Sequence, residues 1–549
     1  VSLVILPLSP AVSQRQITID DIWTKGTFRT KGVPGFRFMN DGRHYTTLEN
    51  NYILKYDLTT GNLTDTLLDV NLLNLPGEDK QIEDYTFSDD EAQLLLTAGS
   101  EAIYRHSTKE WTYVYDNTTR KVAGLNEKGK QMHATFSPDG KKVGFVMDNN
   151  MYYKDLASGK ITQVTTDGKW NHIINGSCDW VYEEEFSFTK AFAWSPDNRY
   201  IAYYRFDESA VKEFTMTNYT GELYPENVTF KYPKVGMENS KVSIHIFDTK
   251  TKKKVDVDRT SDPDGYIPRI KWTNDPSKLC VFWMNRHQNH LELLIANSVS
   301  GKTTKLLQEE NKYYIDIHDN LTFLQDGQGF IWTSEQDGFN HIYLYDMSGS
   351  LKKQITTGNW EVTSFYGVDE KNKAIYYQSA SASPMEREIF SVGLDGVTKK
   401  QLHVDKGMNT AQFSTTFDLF VLNHSTINSA PTYTVYDRKG KVVRVLENNE
   451  GVKAQQDEAG AQPVEFFNFT TSEGVDLNGY MIKPANFDAT KKYPVFMTLY
   501  GGPGSQEVLD GWMGADYWWY QSLAQQGYII ACVDNRGTGG RGEEFKKMT

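Results

Sequence analysis

Three consecutive glutamates, Glu183, Glu184 and Glu185, stand between Trp180-Val181-Tyr182 and Phe186 in the stretch DWVYEEEF. Neighbouring carboxylates repel, and beside aromatic surface they lose hydration that something must replace. Taken alone, the residues leave two readings open: a solvated face, or a seat for a positively charged group. An ammonium has three donors and can bond two carboxylates at once, and its charge relieves their repulsion. Side chains of adjacent residues on a strand point to opposite faces. Two glutamates that serve one cation are therefore expected on a short helical turn.

Other stretches offer chemistry with less specificity. Arg105, in AIYRHS, reads by itself as an ordinary strand arginine. Tyr500 ends the apolar run FMTLY before Gly501-Gly502-Pro503, where it either caps a core strand or presents its hydroxyl at the strand end. Gly537 to Gly542 spells GxGxxG after an apolar strand, but Asp534-Asn535-Arg536 intervene and Glu543-Glu544 would repel a pyrophosphate, so no nucleotide site is expected. His287-x-x-His290 falls in a hairpin with no third ligand in sight, and no metal or other cofactor is expected. No Gly-x-Ser-x-Gly nucleophile elbow occurs in the 549 residues, and Ser505, near the Gly-Pro loop, lacks that setting.

The elements that must position these residues are announced by a repeat. An aromatic strand ending near Asp, a polar turn and a second strand recur eight times, beginning at Tyr52, Tyr113, Tyr152, Ile244, Leu293, Ile342, Ile389 and Tyr433. Between copies come FSDDEAQLLL, FSPDGKKVGFV, WSPDNRYIAYY and FLQDGQGFIW, turns that feed alternating apolar residues as in a hairpin. Two hairpins make a four-stranded sheet, and eight such sheets make a propeller. From Asp248 the landmark residue returns at Asn297, Asp346 and Asp395 at intervals of 49, then at Asp437, whereas Asp155 to Asp248 spans 93. The glutamates lie inside that expansion, and insertions in repeat arrays map to one face, often the binding face. After about residue 450 the grammar changes to hairpin, buried strand, helix and strand, that of an α/β sheet.

The boundaries expected are a signal-peptide remnant at 1–13, an N-terminal segment at 14–35 packing near the α/β part, an eight-bladed β-propeller at 36–462 with a substrate-binding insertion around 170–240, and the start of an α/β-hydrolase domain at 463–549. VSLVILPLSPAVSQ reads as the end of a secretory signal, the other reading being a buried first strand. The net charge of −13 argues against nucleic acid or an anionic membrane as partner, and no apolar run is long enough to span a bilayer. Three distant cysteines, Cys178, Cys280 and Cys532, do not form a disulfide framework or a zinc cluster.

DWVYEEEF, LYGGPGSQ and VDNRGTGGRG, with a propeller preceding an α/β segment, resemble the dipeptidyl peptidase IV family and its bacterial members, within the prolyl oligopeptidase group of serine hydrolases. The resemblance implies a serine exopeptidase that removes N-terminal X-Pro or X-Ala dipeptides. It implies that Glu184 and Glu185 hold the substrate ammonium, that Arg105 reaches the substrate backbone and braces the glutamates, and that Tyr500 donates to an oxyanion hole. The catalytic serine, aspartate and histidine are then expected in sequence beyond Thr549. Peptides with a free N-terminus are the expected partners, in a homodimer exported to the bacterial periplasm or cell surface. Two rivals remain: a non-catalytic propeller that binds peptide N-termini, and an endo-acting prolyl oligopeptidase-like enzyme, whose substrates carry no ammonium at that point.

Overall fold

The structure is a computed structural model that describes residues 15–33, 35–73, 75, 81–221, 223–260 and 265–548. The expected signal remnant at 1–13 lies outside them. Among the described residues, eight antiparallel sheets follow one another along the chain, at 37–69, 84–124, 132–163, 173–256, 265–310, 322–354, 362–401 and 408–447. These are the blades of the expected propeller, numbered 1 to 8 below. The repeat found in the sequence is the hairpin of each blade's last two strands.

The landmark acid has a local job. At the end of the penultimate strand its carboxylate accepts backbone N–H groups two and three residues on, as Asp57 does from Thr59 (2.8 Å) and Thr60 (3.0 Å), and Asp248 from Lys250 (2.8 Å) and Thr251 (3.2 Å). Asn297 makes the same turn with Val299 and Ser300. A side chain that mimics the backbone in this way fixes a tight turn. The Thr119 N–H, donating to Asp116, holds that carboxyl below its ordinary range.

Apolar clusters lie between consecutive blades rather than within them. Leu95 and Leu125 of the blade 2 region pack on Phe136, Val143 and Phe145 of blade 3, and Phe282 and Leu293 of blade 5 pack on Phe330 and Trp332 of blade 6. Val421 and Val435 of blade 8 join Tyr45 of blade 1, with Phe36 and Leu58 beside it, and Gln412 donates to the Phe36 carbonyl at 2.9 Å. That contact closes the ring. No blade borrows a strand from another blade, so closure rests on side-chain packing and not on a shared strand.

Blade 4 departs from the plan, and the departure carries the glutamates. Two short strands, Ile173–Asn175 and Phe192–Trp194, share the first-strand position against Tyr200–Asp207. Between them the chain leaves the sheet and returns. Gly176, with φ of +76°, makes the exit, because a Cβ there would come within 2.0 Å of the Met151 sulfur. The Ala191 N–H donates to the Gly176 carbonyl at 3.0 Å and closes the base of the excursion. A second excursion, the hairpin Glu213–Asn218 and Glu226–Lys231, precedes the next blade strand.

Beyond the propeller, the hairpin of Val464–Thr470 and Asp476–Ile482 pairs with Ile529–Val533, which in turn runs parallel to Val495–Thr498. The helix Ala515–Gln525 packs on this sheet through Tyr517, Trp518 and Ala524. The segment after residue 15 lies against the same helix: Phe28 stacks on Trp518 at 4.2 Å, and Gln525 bonds the backbone of Arg15 and Ile17. Val495–Thr498 is an edge strand, and Val495, Phe496 and Met497 stand exposed on it.

Candidate functional site at the blade 4 excursion

Trp180–Glu185 is a single helical turn, capped by Asp179, whose carboxylate accepts the Tyr182 N–H at 3.0 Å. The aromatic flank seen in the sequence is what seats it. Tyr182 is buried edge-on against Phe186, Phe188 and Phe206, and its hydroxyl accepts the Ile267 N–H at 3.0 Å, tying the turn to blade 5. Trp180 faces the other way, 4.5 Å from the ring of Tyr232 at the base of the 213–231 hairpin.

The three glutamates take three different positions. Glu183 is buried, and one of its oxygens accepts the backbone N–H groups of His106 (2.6 Å) and Ser107 (3.1 Å). It therefore holds the strand connection that carries Arg105. Glu184 is largely buried, its side chain 15% exposed, and its Oε1 lies 3.2 Å from Nε of Arg105. The Arg105 side chain is 72% exposed, so the pair contributes little to stability and acts chiefly to aim the two groups. Glu185 is exposed. Successive side chains on a helix diverge by about 100°, so Glu184 and Glu185 share the turn but not one direction.

Glu184 and Arg105 line a cavity of about 1260 Å³ walled by Tyr104, Trp170, Trp180 and Phe230. Tyr104 stacks toward Trp170 at 6.4 Å and meets Phe230 at 6.2 Å. A carboxylate recessed beneath aromatic rings can receive an ammonium; the rings offer an apolar wall and a cation-attracting face. The anchoring role of Glu183 and the wall residues Tyr104, Trp170 and Phe230 were not singled out from the sequence, whereas Trp180 was seen as a flank of the glutamates. Glu183 looked like its two neighbours, and the hairpin bringing Phe230 was legible only as alternation in FTMTN and NVTFK.

The anchoring role of Glu183 has a direct test. Glu183→Ala leaves two backbone N–H groups near the site without their acceptor and is expected to cost about 2 kcal/mol. Thermal and urea unfolding would read this, with Glu183→Gln, which keeps an acceptor, falling between.

The remaining candidates lie elsewhere. Tyr500 follows the edge strand Val495–Thr498 and is 73% exposed, its ring against Gly502. No contact joins it to the glutamate turn among the described residues. The Ser505 hydroxyl donates to the Gly502 carbonyl at 2.7 Å, an arrangement that spends its proton inside the loop. The GxGxxG loop docks on the propeller, where the Gly542 N–H donates to Glu361 at 2.6 Å, and on its own domain, where the Gly539 N–H donates to the Ser505 carbonyl at 3.0 Å. The two nitrogens of His290 face Glu310 (3.2 Å) and Glu292 (3.4 Å), and His287 takes no part. A second cavity, of about 600 Å³, opens between the propeller and the loops at 503–506 and 539–547.

No helix among the described residues is long and apolar enough to cross a membrane. Known proteins resemble the chain over most of its length. It is 40% identical to the crystal structure of Porphyromonas gingivalis dipeptidyl peptidase 4, with a TM-score of 0.91 over 97% of this chain and 76% of that one. The probable dipeptidyl peptidase 4 of Arthroderma benhamiae is 30% identical over 483 residues, and the dipeptidyl peptidase 4 of Trichophyton rubrum 29% over 526. These stretches are 84% and 92% of this chain, which spans 62% and 67% of the two relatives. The family model of the dipeptidyl peptidase IV N-terminal region matches residues 88–431. With its propeller, its hydrolase sheet and that match over more than half its length, the chain belongs to the dipeptidyl peptidase IV family.

Proposed function

We propose that the protein is a serine dipeptidyl peptidase that releases N-terminal X-Pro or X-Ala dipeptides, with the free N-terminus held at the glutamate turn. The observation that carries this is Glu184 recessed in an aromatic cavity and aimed by Arg105, with Glu183 pinning the Arg105 segment from behind. Such a site counts residues from the amine. A substrate whose ammonium docks there presents its second carbonyl at a fixed distance, so the cleavage position follows from the end of the chain and not from an internal sequence.

Glu185 is the second carboxylate of the clamp in this reading. It reaches the ammonium from the solvent side of the turn while Glu184 meets it from the cavity. Tyr500 is the oxyanion donor: its exposed hydroxyl stands at the end of a parallel strand, the place where α/β enzymes gather their chemistry. The nucleophile, base and orienting acid are supplied by hydrolase sequence outside these residues. The family membership and the share of the relatives' length that the chain spans support this. The partners are peptides with a free N-terminus, and the protein acts after export, in the periplasm or at the cell surface. A homodimer fits the exposed Tyr219 and Tyr224 at the tip of the 213–231 hairpin, 78% and 81% exposed.

The test is hydrolysis of Ala-Pro anilide by the protein with its hydrolase domain entire, beside the N-acetylated twin. Cleavage of the free amine alone is expected. Equal cleavage of both would move the protein to the endo-acting class. No cleavage of either, with the free-amine peptide still bound, would leave a propeller that captures N-termini.

A further inference from the structure

We infer that His403, Asp405 and His424, at the junction of blades 7 and 8, form a binding site for a divalent cation of the zinc type. One ligand atom from each lies within 4.8 Å of the others. His403 and Asp405 sit on the connection between the blades, and His424 on the blade 8 strand Leu419–Thr426. Their order in the chain, His-x-Asp and then a histidine in the next blade, matches no metal motif, so only the fold brings them together.

The surroundings prepare the imidazoles as ligands. Both amide hydrogens of Asn409 are spent, one on the Arg387 carbonyl at 2.8 Å and one on that of Asp405 at 3.1 Å. Its oxygen must therefore accept, and Nδ1 of His424, 2.9 Å away, must donate to it. That leaves Nε2 of His424 with a lone pair and no proton. Nδ1 of His403 lies 3.2 Å from the Tyr436 hydroxyl, which can accept its proton in the same way. Nε2 of His403, on a side chain only 9% exposed, makes no hydrogen bond of good geometry and faces the Asp405 carboxylate. A ring held through one nitrogen by an oxygen, with the other nitrogen turned toward a further ligand group, is the arrangement metal-binding histidines show.

The spacing suits zinc. Nε2 of His403 is 3.3 Å from Oδ2 of Asp405. Ligands about 2.0–2.1 Å from a tetrahedral Zn²⁺ stand about 3.4 Å from one another. The two imidazole rings stand 5.3 Å apart between centres, and the ion would draw together ligand atoms that already lie within 4.8 Å of one another. A water completes four-coordination. The bound ion would fasten the blade connection to blade 8 beside the hydrolase contact, where Ser425 accepts the Trp512 N–H at 3.2 Å.

The experiment is titration of the chelator-treated protein with Zn²⁺ against a chromogenic competitor, with melting temperature followed in parallel. One equivalent is expected to bind and raise the melting temperature. Co²⁺ at the same site is expected to show the intense visible absorption of a tetrahedral ion. Asp405→Asn, at an exposed position that leaves the fold untouched, and His424→Gln should each weaken binding at least ~10-fold. The double variant His287→Gln/His290→Gln should leave it unchanged. Absence of stoichiometric binding, equal affinity in the Asp405 and His424 variants, or loss of binding in the His287/His290 variant would each overturn the assignment.

Discussion

Glu184→Gln is expected to raise KM for Ala-Pro anilide by about 30- to 100-fold, with a smaller change in kcat, in the protein with its hydrolase domain entire. The substitution keeps size and hydrogen-bonding shape and removes only the charge. Truncating one member of a buried charge pair costs 2–5 kcal/mol, and about 2–3 kcal/mol suits a carboxylate that keeps some solvent. On the proposed function the ammonium is bound equally in substrate and transition state, so the effect falls on ground-state binding. Hydrolysis of the N-acetylated substrate, already slow, should be indifferent to the change. A kcat loss without a KM change would show that Glu184 does not hold the substrate amine. Glu185→Gln should act in the same direction but less, since Glu185 stands in solvent.

The fold was more legible in the sequence than the site, for a physical reason. The blades repeat a local rule that needs no partner: an Asp or Asn at or just past the end of a strand captures the next backbone N–H groups. Asp57, Asp248 and Asn297 do so in the structure at the positions the repeat marked. The long interval between Asp155 and Asp248 likewise marked blade 4 as irregular, and the glutamate turn lies there. The division of labour among the glutamates depends instead on contacts far along the chain. Glu183 meets residues 106 and 107, Tyr182 meets 267, and Trp180 meets 232. Nothing in EEE says which one faces inward; the phase of one short helical turn decides it. Tyr500 shows the opposite limit, where the strand and its end are readable but the hydroxyl's partner is not among the described residues.

Glu208→Gln is expected to stabilise the protein at pH 8 and to flatten its stability profile between pH 5 and 7. Glu208 follows the strand Tyr200–Asp207, is 1% exposed, and has one carboxylate oxygen buried without a partner. Burial is the main cause that pushes its carboxyl up to about 7; Asp179 adds to the rise, and Lys231 opposes it. In the unfolded chain the same group titrates near 4.5. Between these values the folded protein binds the proton and the unfolded chain does not. Stability therefore falls as pH rises through that interval and levels off above about 7. A shift of this size corresponds to at most about 3 kcal/mol for a fully buried group. Glutamine carries no charge to desolvate, so the variant should gain part of that at pH 8 and nothing below pH 4.5. Denaturant unfolding at pH 5, 6, 7 and 8 would read it; parallel profiles for the two proteins would show that Glu208 is ionised throughout. The location gives the cost a rationale. Glu208, Asp179 and Glu183 all lie close enough to Tyr104, in the wall of the glutamate cavity, to add to the rise that burial imposes on its hydroxyl. On the proposed function, an ammonium docked in that cavity would favour the ionised form of Glu208, which places a carboxyl of perturbed affinity for its proton beside a binding site, where such groups gather.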